Sequence, residues 1–224
     1  MIITIDGHAG SGKSTAARML AAQLGYELMN TGAMYRATAL ALGRLGIDIY
    51  AEPRDEKAIA AAVAGYTFEM TDVRVKLNGR DLTDFVYTEE MGRAASRVGT
   101  FPEVRARLKS EQRRLANGRD IICEGRDQGT AVFPDAPIKF FFTASPETRA
   151  RRRAQQDGID PDQCAETFAG LVRQIAARDR QDEHRPIDPL RKAPDAVVID
   201  TSDLSQNEVL SRMVEVVDRW RSLN

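Results

Sequence analysis

The sequence is poor in several residue types whose abundance would have announced a function. Among its 224 residues are two cysteines, two histidines and one tryptophan. Cys123 and Cys164 stand far apart with no metal-like spacing, which excludes a disulfide framework or zinc ribbon and leads us to expect a reducing, cytoplasmic setting. Neither sign of charge prevails: 32 Lys and Arg face 33 Asp and Glu for a formal net charge of -1. That balance argues against a partner that is a nucleic-acid polymer, which calls for a basic excess. No apolar run approaches the roughly 18 residues that span a bilayer; the longest alanine-rich run is only Ala58 to Ala64. No basic stretch followed by an apolar segment and a cleavage site opens the chain, so no membrane partner is expected. Lysine is scarce as well, with 6 against 26 arginines. That skew fits either compositional bias or a need for guanidinium forks to hold phosphates and carboxylates.

What is present organises the chain as one core with excursions. With 42% hydrophobic residues a sizeable core can form. Short apolar runs at Ile2 to Ile5, Tyr26 to Met29, Ile121 to Cys123, Ile138 to Phe142 and Val197 to Ile199 are continuous rather than alternating. Such runs predict strands buried on both faces of a parallel sheet. Helical stretches fall between them at Lys13 to Leu24, Pro102 to Ala116, Pro146 to Gln156, Ala165 to Arg180 and Ser205 to Leu223. The last opens on a capping box, Ser205 with Glu208. Alternating strands and helices predict an α/β three-layer sandwich with right-handed crossovers. Between Gly65 and Thr88, Tyr66, Phe68 and Met70 alternate with polar residues, as do Val75 and Leu77, and Asn78-Gly79 follows. That pattern predicts a small antiparallel β insert closed by a type I′ turn.

The chemistry-bearing motif lies at the end of the first strand. Gly7-His8-Ala9-Gly10-Ser11-Gly12-Lys13-Ser14-Thr15 fits G-x-x-x-x-G-K-[ST] and sits between a strand and a helix, the context a P-loop needs. Its backbone N–H groups and the helix N-terminus attract phosphate oxygens, Lys13 reaches the β and γ phosphates of a nucleoside triphosphate, and Ser14 offers its hydroxyl to Mg²⁺. His8 is expected to face solvent and to contribute only its backbone. No Asn is followed by Lys and no His-Arg-Asp occurs, so neither a guanine-reading switch nor a protein kinase is indicated.

Isolated arginines beside Asp or Gly recur further on: Arg36, Arg126 in Glu124-Gly125-Arg126-Asp127, and Arg178, Arg180 and Arg185. An acceptor that is itself a phosphate, with a second pKa of about 6, needs no general base near neutrality. Its difficulty is charge. Two unit charges 4 Å apart repel by about 4 kcal/mol at an effective dielectric of 20, and a monophosphate facing a triphosphate involves several such pairs. Permanently charged forks on both sides of the transferred group answer that need.

Taken together these residues resemble the bacterial-type cytidylate kinases among the nucleoside monophosphate kinases. The likeness runs over Ile5 to Thr15, Asn30 to Arg36, Ala95 to Val98, Phe101 to Arg105, Gly125 to Thr130, Val132 to Ala136, Arg149 to Arg153, Arg178 to Arg185, Pro189-Leu190 and Asp195-Ala196. It departs at His8, where the family usually has proline, at Asn30 for aspartate, and at Gln128 for an aliphatic residue. The resemblance implies a five-stranded parallel core in segments 1–35, 90–150 and 178–224. A monophosphate-binding region at 36–89 would carry the β insert at about 65–88, and 151–177 would form a helical lid.

By the same likeness the substrates are ATP and CMP or dCMP, and the molecule is a monomer. Arg36, Arg126 and Arg185 hold the acceptor phosphate. Arg178 and Asp182, with Thr31, address the ribose. Asp127 accepts from cytosine N4 while Arg105 donates to N3 and O2, with Ser96 beside them. Uracil would set its O4 against the carboxylate, acceptor against acceptor; an ion pair with a neighbouring arginine is the plainer alternative for Asp127. Lys13, Arg126, Arg185 and Arg153 are the expected catalytic cations. Arg149, Arg152 and Arg153 share a helix face by i, i+3, i+4 spacing and are expected to close on the triphosphate from a lid hinged near a mobile segment at Gln155 to Glu166. Thr201 and Ser202 would lie by the adenine. A kinase for another monophosphate such as UMP, and a P-loop switch with no small acceptor, remain open from the residues alone.

Overall fold

A computed structural model describes residues 1–160 and 163–223. Its core is a parallel five-stranded sheet in the order β2-β6-β1-β7-β8, with β1 at Ile2–Gly7, β2 at Glu27–Asn30, β6 at Ile121–Glu124, β7 at Ile138–Thr143 and β8 at Val197–Asp200. All five expected strands are present. In register, Ile5 lies opposite Glu124, Gly7 opposite Phe142, and Asn30 opposite Glu124. The carboxyl ends of four strands therefore converge on one edge, where ligands bind in open α/β sheets.

The period of two along each strand divides the sheet's faces. Ile3 and Ile5 of β1, Ile122, Phe140 and Phe142 point to one side, where they pack with Ala16, Ala17 and Leu20 of α1 (Lys13–Leu24) and Val209, Met213 and Val217 of α9 (Gln206–Leu223). Met29, Ile121 and Cys123 point to the other side, against Met34 and Ala37 of α2 (Thr31–Arg44) and Val104 and Leu108 of α6 (Pro102–Ala116). The remaining β1 side chains, Thr4 and Asp6, are buried polar residues.

The hairpin forms as the pattern implies. In the three-stranded sheet β3 (Phe68–Met70), β4 (Val75–Leu77) and β5 (Arg80–Asp81) pair antiparallel. Asn78 and Gly79 have φ of 49° and 75°, and Asn78 Oδ1 accepts from Thr67 N at 2.8 Å. The helices of 13–24, 102–116 and 146–156 (α7) match their expected bounds, while the fourth, α8, runs past Arg180 to span Ala165–His184. Ser205 and Glu208 make the capping box, Ser205 N donating to Glu208 Oε2 at 2.8 Å and Glu208 N to Ser205 Oγ at 3.3 Å. Helices α2, α3 (Glu56–Ala64), α4 (Thr83–Val86) and α5 (Glu89–Val98) were not read from the sequence. Part of the expected lid and of its mobile segment, residues 161 and 162, lies outside the described residues.

Candidate active site

The loop from β1 into α1 wraps tightly because its glycines adopt backbone that side chains avoid. Gly7 has φ +142°, and a Cβ there would lie 2.0 Å from the Phe142 carbonyl oxygen; β1 and β7 can approach only because that atom is missing. Lys13 is buried and donates to the His8 carbonyl at 2.6 Å, as does Ser11 Oγ at 2.8 Å. Burial, with the Arg126 charge, lowers the Lys13 pKa to about 7 against the pull of Glu124 and Asp6. Ser14 Oγ donates to Glu124 Oε2 at 3.0 Å. Thr15 is exposed on the first turn of α1.

His8 departs from expectation. It does not face solvent: its Nε2 lies 2.8 Å from Glu183 Oε1 of α8, and its side chain is 17% exposed.

Across the cleft three arginines crowd together. Arg126 donates from Nε to Asp182 Oδ2 at 3.0 Å. A Cβ on Gly92 would lie 3.8 Å from both Arg178 Nη1 and Arg36 Nη2, so both guanidinium groups reach the same glycine of α5. Burial and the nearby Arg126 charge lower the Arg178 pKa to about 10, and burial lowers that of Arg36. Arg126 is raised instead, because the Asp182 and Glu124 carboxylates outweigh its burial. Asp182 is held below the ordinary carboxylate range: burial opposes this, but Arg126, Arg178 and Arg185 prevail. Arg178 Nε is buried with no hydrogen-bond partner among the described residues. Such a cluster under mutual repulsion is a ready site for a dianion.

A second group lies beside it. Arg105, 1% exposed, donates from Nη2 to Asp127 Oδ2, from Nε to Asp188 Oδ2 at 3.0 Å and from Nη1 to the Gly99 carbonyl at 3.2 Å. Its guanidinium lies over the Tyr35 ring, 5.8 Å from the centroid; burial pushes the Tyr35 hydroxyl up to about 12. Arg185 donates from Nε to the Asp188 carbonyl at 2.7 Å, and its Nη2 stands 3.7 Å from Asp127 Oδ1. The ion pair posed as the plainer alternative for Asp127 therefore exists. It does not exhaust either partner: each Nη of Arg105 keeps a second N–H, and the carboxylate keeps unshared lone pairs. Ser96, on α5, is half-buried, with its carbonyl accepting from Gln181 Nε2 at 3.3 Å.

The remaining expected residues are placed differently. Thr31 turns its hydroxyl to the Glu124 carbonyl at 2.9 Å rather than into the cleft. Arg149 is a buried strut, reaching Ala144 O at 3.0 Å, Ala9 O at 3.3 Å and Asp179 Oδ2 at 2.7 Å. Arg152 bonds Thr201 Oγ1 at 3.0 Å and its carbonyl at 2.6 Å, while Thr201 Oγ1 donates to Ser11 O at 2.9 Å. Ser202 Oγ is turned to Asp200 Oδ1 at 2.7 Å. Arg153 does not join the other two on the P-loop side: it pairs with Asp157 of its own helix end at 2.8 Å, although its charge is felt at Arg36.

Sequence reasoning missed four supporting groups. Glu124, Tyr35 and Asp188 are described above. The fourth is Asp6, whose oxygens accept the backbone N–H groups of Gln128 at 2.8 Å and Gly129 at 2.7 Å. These amides open the π-helical turn Gln128–Val132 that follows Arg126 and Asp127. Burial pushes Asp6 up to about 7, against the pull of those two N–H groups. A signal existed: in a strand otherwise apolar, an acid two positions from the P-loop histidine, on the face opposite Ile5, requires buried partners.

A parallel sheet carrying this loop at the end of its middle strand defines a P-loop protein of the α/β class. Comparison with known proteins narrows the class. Residues 3–219 match the family described as cytidylate kinase. The cytidylate kinase of Methylococcus capsulatus is 44% identical over 96% of this chain and 96% of its own length. That of Mycobacterium leprae is 42% identical over 97% and 95%. The chain belongs to the cytidylate kinase family. A solved structure, of an uncharacterized protein from Eubacterium ventriosum, matches 97% of this chain and 98% of its own with a TM-score of 0.52 and 15% identity, a likeness of fold alone.

Proposed function

We propose that the protein transfers the γ-phosphoryl group of ATP to the phosphate of CMP or dCMP, giving ADP and CDP or dCDP. The observation that carries this reading is the adjacency of two groups at one sheet edge: the Arg36 and Arg126 cations, with Arg178 and Asp182 at their ribose side, and the Arg105–Asp127 pair. The first suits a phosphate dianion. The second suits a base edge with one donor beside two acceptors, and that is cytosine. Asp127 takes the N4 hydrogens on its unshared lone pairs, and Arg105 gives its spare N–H groups to N3 and O2.

An acceptor oxygen already ionised attacks the γ-phosphorus as the bond to the β,γ-bridging oxygen breaks in line, and the electron pair stays on ADP. No proton needs to be abstracted. Lys13 neutralises the outer donor phosphates, Arg126 the charge between the two nucleotides, and Arg36 and Arg185 the acceptor side. Arg178 and Asp182 serve the ribose edge. The Ser14 hydroxyl and the Glu124 carboxylate at 3.0 Å form a hard-oxygen pair fitting Mg²⁺, which keeps most of its waters and binds few carboxylates. Held there by Ser14 and Glu124, the ion would supply positive charge to offset that of the triphosphate. Arg149 and Arg152 support the P-loop from behind, and segment 151–177, with Arg153 on its rim, acts as the lid that excludes water. The molecule acts as a monomer, the state the family resemblance implies.

A coupled assay for ADP formation with each monophosphate tests this reading. Stimulation by CMP and dCMP well above UMP, AMP and GMP is expected; stimulation by none would leave a nucleotide switch, and equal stimulation by UMP would remove the base-reading role.

A further inference from the structure

One side-chain contact joins the P-loop directly to helix α8, and the phosphate chemistry above leaves it unused. His8 Nε2 and Glu183 Oε1 lie 2.8 Å apart. The ring stands edge-on to Phe141 with centroids 6.0 Å apart, and its Nδ1 is buried with no hydrogen-bond partner among the described residues. A polar tie to Glu183 and an aromatic wall at Phe141 thus hold the imidazole.

Each end of the tie adjoins the machinery. The His8 carbonyl accepts from Lys13 Nζ at 2.6 Å and Ser11 Oγ at 2.8 Å. Asp182, the residue before Glu183, holds Arg126 at 3.0 Å. A triphosphate that draws Lys13 to itself takes one of the donors from the His8 carbonyl, which is then held, among the described residues, by Ser11 alone through its Oγ and backbone N–H. Turning the ring with that carbonyl would strain the 2.8 Å contact to Glu183, the neighbour of Asp182 on α8.

We propose that His8 is a positioning residue that couples the two nucleotide sites, making the seating of the triphosphate in the P-loop and of the monophosphate at Arg126 interdependent through Glu183. The inference rests on the functional reading above. Coupling of this kind is reciprocal and typically amounts to about 5- to 150-fold in affinity.

Calorimetric titration of CMP, with and without saturating non-hydrolysable ATP analogue and Mg²⁺, measures it in the wild type, His8→Ala, Glu183→Ala, the double variant and His8→Gln. In the wild type the analogue should change CMP affinity about 5-fold or more. Each alanine variant should bring that ratio near one, the double variant should add nothing further, and His8→Gln, whose amide nitrogen can reach the carboxylate, should restore part of it. A wild-type ratio of one overturns the proposal. So does a ratio that stays at the wild-type value in the alanine variants, even where Tm or both affinities fall, because that is a structural role alone. A wild type that binds no CMP fails the functional reading itself, whereas binding of both nucleotides with an unchanged ratio fails only the coupling.

Discussion

At the residue scale the site is a set of cations whose counter-charges are arranged to leave them usable. Arg105 is the clearest case, held by Asp127, Asp188 and the Gly99 carbonyl yet retaining two unshared N–H groups. Asp127→Ala removes the acceptor for the N4 amino group. It should lower kcat/KM for CMP on the order of 100-fold and abolish the preference over UMP. Steady-state kinetics with both substrates check this, and an unchanged preference would remove Asp127 from base reading. Lys13 supplies a prediction in pH. Its pKa is lowered to about 7, and a triphosphate favours the charged form, so binding must raise it. Above that value the free protein carries a neutral amine at this position and takes up a proton when ATP binds; below it the amine is already charged. Proton uptake on ATP binding should therefore approach one at about pH 8 and fall towards zero at about pH 6, with affinity weakening as pH rises through 7. Calorimetry in buffers of different ionisation enthalpy measures it, and proton release at pH 8 would contradict the assignment.

At the scale of elements, what was legible followed local pattern and what was not followed contact. The five strands showed as apolar runs, and the hairpin showed as Asn78-Gly79, because those signals are carried by neighbours in sequence. Helix α2 did not: Thr31–Arg44 carries Gly32 and Gly43, which disfavour helix, and its N-cap residue, Asn30, makes no side-chain cap bond. The P-loop was legible for the same local reason, whereas Asp6 and Glu124 acquire partners only when β1, β6 and the turn after Asp127 come together. The solvent-facing expectation for His8 failed likewise, since Glu183 lies 175 residues away. Asp6 shows how an element positions chemistry, clamping the turn beyond Arg126 and Asp127 by two amides. Asp6→Asn keeps the shape but sets an NH2 against one of those donors. It should raise KM for CMP about 10-fold with a smaller change in KM for ATP, since one acceptor for a buried donor is lost at a cost of about 1–3 kcal/mol. Equal changes in both would show a general loss of packing instead. Gly7→Ala tests the strand-to-loop junction. Its Cβ would meet the Phe142 carbonyl at 2.0 Å, so thermal unfolding should show destabilisation on the order of 3 kcal/mol or more, and an unchanged Tm would contradict the close approach.

At the scale of the whole molecule, near-neutrality and the arginine skew take on separate meanings. A net charge of -1 fits substrates dense in negative charge because the cations are concentrated locally, with carboxylates such as Asp182 and Asp127 set among them. Of the 26 arginines, eight carried an expected role. Arg36, Arg126 and Arg178 crowd around one place, Arg105 and Arg185 flank Asp127, Arg149 and Arg152 brace the P-loop, and Arg153 pairs with Asp157 of its own helix end. The family resemblance implied a role for each of the eight, but which of them would touch substrate and which would brace the loop depends on the carbonyls and carboxylates the fold brings near. The central claim is that one sheet edge joins a triphosphate cradle to a cytosine-reading monophosphate site. The most direct measurement is the rate of ADP formation from ATP and Mg²⁺ with CMP, dCMP, UMP, AMP and GMP supplied in turn. The account predicts strong stimulation by CMP and dCMP with UMP far behind; stimulation by none, or by UMP as well as by CMP, would contradict it.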